Sequence, residues 1–250
     1  MLINTGKGDI MKKLLLTTAL IGGLATPAAA TLQLSIDVNG TTFSCADGQL
    51  SCDQSGGAKN LLVIDQTVNG VLVQVALAQS TSGSVNVLQL SSSNIVNESA
   101  IQKNIELFAG DTSFAGPVNR INDSGSLTFN QAVGSAQSSL SFFADALNRQ
   151  GANPTNTPGS LLEQVFGTPL TNPDSFSGSN FAVFLADGAF SMTEAANLNL
   201  IAGGSITGFN QSMTSSAIPE PKTWAMLGLG FLAMAFMGLK RSRKDRLATV

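Results

Sequence analysis

The feature that most constrains the fold is a set of short runs in which apolar and polar residues alternate and that turn back at Asn-Gly pairs. Leu32 to Val38 alternate with period two and lead into Asn39-Gly40, and Leu61 to Val68 lead in the same way into Asn69-Gly70. Period two is typical of a strand with one buried face, and Asn-Gly supplies the positive φ values of a two-residue hairpin turn. Many such runs, with no alternation of strands and helices, predict an all-β fold, an antiparallel β-sandwich.

Further strands are predicted from the same pattern at 41–44, 71–79, 85–90, 104–109, 126–133, 138–147, 181–187, 195–201 and 205–213. The exception is 148–180, where four X-Pro steps interrupt the chain. For this segment we predict a long loop with one short helix at Leu161 to Phe166. Phe129, Phe142 and Phe181 fall on alternating strand positions and are expected in the core.

The first thirty residues have the three parts of a secretory signal peptide. Met11-Lys12-Lys13 is the basic start, Leu14 to Leu24 is the apolar run, and Ala28 to Ala30 is the small-residue cleavage site. We therefore predict passage through the Sec translocon and cleavage by signal peptidase between Ala30 and Thr31, with Met11 as an alternative start. An uncleaved N-terminal anchor is the alternative interpretation.

The cysteines and charges between the two ends of the chain fit an exported protein. Cys45 and Cys52 are the two cysteines, and a close pair in an exported protein predicts a disulfide. Between residues 31 and 218, four cations stand against thirteen carboxylates, a net charge of −9. A surface this acidic disfavours nucleic acid as a partner, and it also disfavours binding to an anionic bilayer face.

Residues 219–246 contain three sequence blocks in succession: Pro219-Glu220-Pro221, an uncharged run from Trp224 to Leu239, and a basic cluster. The basic cluster consists of Lys240, Arg241, Arg243, Lys244 and Arg246. As a helix, the 16 residues of the uncharged run would extend about 24 Å, slightly less than a hydrocarbon core of about 30 Å. The sequence therefore predicts a single transmembrane helix at 224–239, with the basic cluster on the cytoplasmic side.

This order of blocks resembles the PEP-CTERM sorting domain of Gram-negative bacteria over about 33 of the 250 residues. The resemblance implies that exosortase, a membrane-embedded enzyme, recognises the tail and cleaves near Pro-Glu-Pro. Cleavage would release the ectodomain to the cell surface or the exterior, typically in bacteria that make exopolysaccharide. The expected parts are a signal peptide (1–30), an ectodomain (31–213), a linker (214–218) and the sorting tail (219–246). A C-terminal anchor that is never processed is the alternative.

The residue types available exclude several catalytic mechanisms. The chain contains no histidine and no tyrosine, so a Ser-His-Asp or Cys-His nucleophile cannot be built, and its carboxylates are scattered singly. We therefore expect no enzymatic activity. Calcium would find oxygen ligands at Asp37 to Gly40, Asp47-Gly48, Asn122 to Gly125 and Asp187-Gly188. Asp and Asn before Gly are first of all turn residues, so no cofactor is predicted, with calcium as the alternative.

The sequence thus predicts an exported surface or matrix protein with a structural or adhesive role linked to extracellular polysaccharide and biofilm. Because the single tryptophan lies in the tail, stacking of sugars on Trp or Tyr is disfavoured, whereas hydrogen bonding by Asn, Asp and Ser stays open. One alternative is a carbohydrate-binding or carbohydrate-cleaving module delivered by the same tail, which clustered carboxylates in a groove would favour. The other is a periplasmic protein that stays anchored in the inner membrane.

Overall fold

The structure is a computed structural model of the chain, and it describes residues 31–152, 159–216, 229–232 and 234. Thirteen strands lie in the described part of the chain. They are β1 (Gln33–Val38), β2 (Thr41–Ala46), β3 (Leu61–Val68), β4 (Val71–Thr81), β5 (Val85–Ser92), β6 (Asn94–Asn97), β7 (Lys103–Phe114), β8 (Val118–Asn130), β9 (Ser138–Asp145), β10 (Ser160–Gly167), β11 (Asp174–Ala186), β12 (Phe190–Leu200) and β13 (Ser205–Ser216).

The strands form two antiparallel sheets that share one core. Sheet A has six strands in the order β10-β9-β12-β7-β1-β2. Sheet B has seven, in the order β11-β8-β13-β5-β4-β3, and β6 pairs with both β13 and β4. The inner faces of both sheets contribute apolar side chains to a single buried cluster. The predicted all-β antiparallel arrangement is confirmed for the described residues, and its two-sheet form is that of a sandwich.

The Asn-Gly turns are confirmed as hairpin turns. Asn39 and Gly40 have φ values of 51° and 83°, and Asn69 and Gly70 have values of 46° and 77°. All four lie in the left-handed region that a two-residue hairpin requires. The Asn69 side chain also donates a hydrogen bond to the carbonyl of Val38, 3.0 Å away. The two hairpins, one in each sheet, are thereby joined.

The core follows the predicted alternation with one exception among the three phenylalanines. Phe129 and Phe142 are fully buried, as expected. Phe181 is 54% exposed, so its predicted place in the core is wrong. It lies on β11, the edge strand of sheet B, and belongs to the set of alternate residues that face outward.

The segment 148–180 differs most from the expectation. β10 occupies Ser160–Gly167 and pairs with β9, so Leu161 to Phe166 is a strand and the predicted helix is wrong. β11 begins at Asp174 and pairs with β8. Pro169 and Pro173 fall between these two strands, where they interrupt no ladder, and pairing with neighbouring strands overrides the local signal.

Two other predicted boundaries also move. Asn122 to Gly125 lies inside β8 and is not a turn. β13 continues to Ser216, so residues 214–216 of the predicted linker belong to the sandwich. Residues 122–125, which favour a turn locally, are held in the strand by β11 and β13 on two sides, and Ser215 and Ser216 are held by β5.

Cys45 and Cys52 form the predicted disulfide. Closing a loop of this length stabilises the folded state by about 2.5 kcal/mol on the chain-entropy account. Next to it, Asp53 accepts hydrogen bonds from the backbone amides of Gly48 and of Val63 in β3. The disulfide loop therefore connects the edge of sheet A to the edge of sheet B.

The opposite side of the sandwich is closed by glycines on β10 and β11. A Cβ atom added at Gly178 would lie 2.6 Å from Cγ2 of Val165, and one added at Gly167 would collide with the ring of Phe176. Both contacts would be far shorter than a normal contact between carbon atoms. The two edge strands can approach this closely because the glycines have no side chains.

Candidate functional site

The outer face of sheet B carries a group of small polar side chains, called the hydroxyl face below. Its members, exposed or half-exposed on β8, β11 and β13, are Asn122, Ser124, Ser126, Ser177, Ser179, Asn210 and Ser212. They point outward because alternate residues such as Leu127 and Met213 fill the core. In the part of the chain that the structure describes, the side chains of these serines form no hydrogen bond to another residue.

Strand register arranges the hydroxyl face in rows. Ser177, Ser126 and Asn210 lie side by side across three strands. Ser179, Ser124 and Ser212 form the next row. Neighbouring strands are about 4.8 Å apart, and rows on one face repeat about every 6.8 Å. The result is a regular grid of uncharged hydrogen-bonding groups.

The hydroxyl face is concave at its centre. A trough of about 500 Å³ is lined by Ser124, Gly125, Ser126, Ser177, Gly178, Ser179 and Asn210. Gly125 and Gly178 are opposite each other in register, and Cβ atoms added to them would meet Leu140 and Val165 of sheet A. Because these glycines let sheet B approach sheet A, we attribute the concavity of the outer surface to them.

One aromatic and one cationic side chain lie at the end of the hydroxyl face. The Arg120 guanidinium is 4.1 Å from the ring centroid of Phe181, and its Nε donates to Oδ1 of Asn122 at 2.8 Å. A cation held over an aromatic ring is a stabilising contact. The sequence signal for this position was available, since Ser177, Ser179 and Phe181 alternate with period two.

A buried carboxyl lies directly beneath the hydroxyl face. Asp123 points into the core between Asn122 and Ser124, and neither of its oxygens has a hydrogen-bond partner. Burial raises the pKa of Asp123 to about 6, and the negative charge of Glu163 on β10 contributes in the same direction. The backbone amide of Asn180 offsets this rise in pKa only in part. The sequence gives no sign of this burial, because Asn-Asp-Ser-Gly at 122–125 is typical of an exposed turn.

Two further polar side chains are buried in the sandwich. Glu194 of β12 and Gln211 of β13 are both fully buried. Gln211 donates through Nε2 to the carbonyls of Ser141 and Ala195 in sheet A, each 3.3 Å away. Both oxygens of Glu194 lack a hydrogen-bond partner, and burial raises its pKa well above the ordinary value. The backbone amides of Leu90 and Met213 oppose that rise without reaching hydrogen-bonding geometry.

One pair of neighbouring carboxyls lies on the outer face of sheet A. Glu106 lines a pocket of about 180 Å³, and Asp37 is opposite Glu106 in register. Burial, followed by the charge of Asp37, raises the pKa of Glu106. Both Asp37 oxygens already accept hydrogen bonds, from the backbone of Gly40 and the hydroxyl of Thr42. Asp37 therefore acts as a turn residue beside one carboxyl.

Two of the four turns considered for calcium have carboxylates that accept hydrogen bonds within the protein. The two oxygens of Asp37 accept the hydrogen bonds from Gly40 and Thr42 given above. Asp47 accepts a hydrogen bond from the backbone amide of Asn60, 2.7 Å away. Among the residues that the structure describes, no three Asp, Glu or Cys side chains come together as a metal site.

The predicted targeting residues fall largely outside the described residues. These are Ala30, Pro219, Glu220, Pro221, Lys240, Arg241, Arg243, Lys244 and Arg246, whereas Thr31 is the first residue described. Of the predicted transmembrane helix, 229–232 and 234 are described, and they are helical. In the described ranges, no helix has both the length and the hydropathy needed to cross a bilayer.

Comparison with known proteins gives no family. No protein-family model and no curated protein matches the chain. Among solved structures, similarity is found to the carbohydrate-binding module TmCBM61 in complex with β-1,4-galactotriose, at 10% identity, with 54% of this chain and 85% of that chain covered and a TM-score of 0.27. Murine APRIL is similar at 6% identity, covering 74% and 98%, with a TM-score of 0.27. VP2 of infectious bursal disease virus is similar at 11% identity, covering 75% and 56%, with a TM-score of 0.28. Matches this distant carry no inference about function.

Proposed function

We propose that the chain is an exported precursor whose sandwich binds uncharged extracellular polysaccharide through the hydroxyl face. The observation that carries the proposal is the trough lined by serines, glycines and Asn210, in which unpaired hydroxyl groups are repeated in register. A polysaccharide chain offers hydroxyl groups at regular intervals, and it can exchange its hydrogen bonds to water for bonds to such a grid. The trough volume is within the range of ligand sites in proteins.

Three features support an uncharged ligand with weak binding at each site. The centre of the trough carries no ionised side chain, and the net charge of −9 between residues 31 and 218 would repel an acidic polymer at long range. The trough is open and polar, so it removes little apolar surface from water. Phe181 and Arg120, at the end of the face, offer one edge for stacking. Such a site suits an adhesive or structural component that is present in many copies.

The proposal also includes export of the precursor from the cytoplasm and its sorting by exosortase. A disulfide fits an oxidising compartment outside the cytoplasm. The sequence blocks at 219–246 are proposed to direct the precursor to exosortase, which would release the sandwich domain. We expect the mature protein to have no enzymatic activity of its own, with a carbohydrate-cleaving module as the alternative.

Filling the trough should abolish polysaccharide binding. Ser126→Phe places a ring among the serines, and we expect at least a tenfold loss of affinity for the host's own neutral exopolysaccharide in affinity electrophoresis, equivalent to about 1.4 kcal/mol. The matched control is Thr67→Phe, which adds the same ring to an exposed position of β3, far from the trough. Asn210→Ala, which adds no bulk, should weaken binding less.

Equal binding by Ser126→Phe, Thr67→Phe and the unchanged protein would refute the hydroxyl face as the site. The thermal midpoint of each variant separates loss of the site from loss of the fold. Release of reducing ends from the polysaccharide during the same incubation would instead favour the carbohydrate-cleaving alternative.

Sorting is tested by the intact mass of the protein recovered from its native host. In a host with exosortase we expect secreted material that begins at Thr31 and lacks residues 224–250. In the same host without exosortase the tail should remain attached. A tail retained in both strains, with the protein in the inner membrane, would show an unprocessed anchor.

A further inference from the structure

The outer end of β11 presents an apolar stripe, defined here as Phe181, Val183 and Leu185. These side chains are 54%, 77% and 71% exposed. Next to them, Leu161 is also exposed and lines, with Val183 and Leu185, a groove of about 570 Å³ between β10 and β11. Contiguous exposed apolar side chains on an edge strand mark an interaction surface in soluble proteins.

The described domain ends close to this stripe. Thr214 of β13 lies in register with Asn122 of β8, which lies in register with Phe181 of β11. β13 ends two residues later, at Ser216. The chain therefore leaves sheet B at about the level of Val183, two strands or about 10 Å away.

The chain length beyond Ser216 limits how far the stripe can be from the tail. Seven residues, 217–223, separate Ser216 from the uncharged run at 224–239. Seven residues extend at most about 25 Å. If the run is inserted in a bilayer, as in the proposed precursor, the sandwich is held within that distance of the lipid, with the stripe at the tethered end.

A single cation, Arg120, lies beside the stripe, in a segment (31–218) whose net charge of −9 repels an anionic surface at long range. Arg120 lies in register with Val183 and over the ring of Phe181. It is one of four cations between residues 31 and 218. A guanidinium group forms paired hydrogen bonds with phosphate oxygens, and apolar side chains next to it can enter the region below the headgroups.

We infer that the stripe Phe181, Val183 and Leu185 docks the precursor on the outer surface of the membrane that holds its tail, with Arg120 on a lipid phosphate. The inference rests on the proposed sorting function, because only an inserted tail brings the stripe to the lipid. Docking would fix the orientation of the domain and hold residues 217–223 close to the bilayer surface. Because the hydroxyl face lies on the same side of sheet B, its trough would be turned toward the lipid until the tail is cut.

Tryptophan quenching in vesicles tests this docking. The full chain is reconstituted into vesicles of phosphatidylethanolamine and phosphatidylglycerol that contain lipids brominated on the acyl chains. Trp224 of the unchanged chain reports whether the tail enters the bilayer. In a Trp224→Phe background, Val183→Trp reports on the stripe, and Thr67→Trp on β3, at the other edge of sheet B, is the control.

We expect Trp224 and the Val183→Trp chain to be quenched, the latter severalfold more than the Thr67→Trp chain. Adding Arg120→Glu should reduce quenching at position 183 and leave that of Trp224 unchanged. Quenching of Trp224 without quenching at position 183 would overturn the docking while tail insertion stands. An unquenched Trp224 would overturn both. If position 183 is shielded from brominated lipid in a manner that depends on protein concentration, a second copy covers the stripe and the lipid inference is wrong.

Discussion

Replacing Glu194 with glutamine is expected to raise the free energy of unfolding at pH 8 by on the order of 2 kcal/mol. The Glu194 side chain is fully buried, and neither carboxylate oxygen has a hydrogen-bond partner. Ionising a carboxyl there carries a desolvation penalty that a neutral amide of nearly the same shape avoids.

The same buried carboxyls make stability depend on pH in a defined direction. A carboxyl whose pKa is raised in the folded state keeps its proton when the unfolded chain has lost it. The folded state then binds more protons, so the free energy of unfolding falls as pH rises from the unfolded pKa to the folded pKa. For Asp123 this window runs from 3.8 to about 6 and corresponds to a loss of about 3 kcal/mol. Because burial raises the pKa of Glu194 well above its ordinary value, the free energy of unfolding continues to fall at higher pH.

Urea unfolding between pH 4 and pH 8 measures both effects. The unchanged protein should be most stable at the acidic end. Asp123→Asn should reduce the slope of the curve between about pH 4 and pH 6, and Glu194→Gln should reduce the slope from about pH 4.5 upward. Glu98→Gln, at an exposed position, is the matched control and should leave the curve unchanged. A stability curve with the same slope in all four proteins would show that neither buried carboxyl is held protonated.

The second large effect is expected at Gly178, where alanine should destabilise the fold by about 2 kcal/mol and weaken polysaccharide binding. The added Cβ would lie 2.6 Å from Cγ2 of Val165, a β-branched side chain with little freedom to rotate away. β10 and β11 would have to separate, and the trough above them would become shallower.

Gly208→Ala is the matched control for this substitution, because its Cβ would meet only Thr128, at an ordinary distance of 3.5 Å. We expect Gly208→Ala to change the thermal midpoint little. Combining Gly178→Ala with Val165→Ala should recover part of the lost stability, since it removes the clashing methyl groups. If Gly178→Ala unfolds at the same temperature as Gly208→Ala, the close approach of the two edge strands is not what shapes this side of the sandwich.

The hairpins could be predicted from sequence because Asn39-Gly40 and Asn69-Gly70 act locally, through backbone conformations that few other residue pairs adopt. β10 could not be predicted in this way. Its strand conformation is imposed by pairing with β9, a partner that lies near in the chain but beyond a segment rich in proline. Local signals therefore identified the turns and missed the edge strand.

The candidate site could be predicted only in its residue types. The sequence indicated hydrogen bonding by Asn, Asp and Ser, but Ser177-Gly178-Ser179 was assigned to a loop because it belongs to the segment 148–180, which four X-Pro steps interrupt. Only the pairing of β11 with β8 aligns these serines with Ser124 and Ser126. The buried Asp123 and Glu194 carry no local signature, because their burial depends on the opposite sheet.

The sandwich is closed along both of its long sides, by the glycine contacts between β10 and β11 and by the disulfide loop between β2 and β3. Self-assembling fibres of β proteins grow when an open sheet edge accepts a strand from the next molecule. The glycine contacts and the disulfide loop leave a second molecule less room to add a strand at these positions. If the proposed binding to polysaccharide holds, the domain would bind the polymer as a separate unit, and the mechanical strength of the network would come from the polysaccharide.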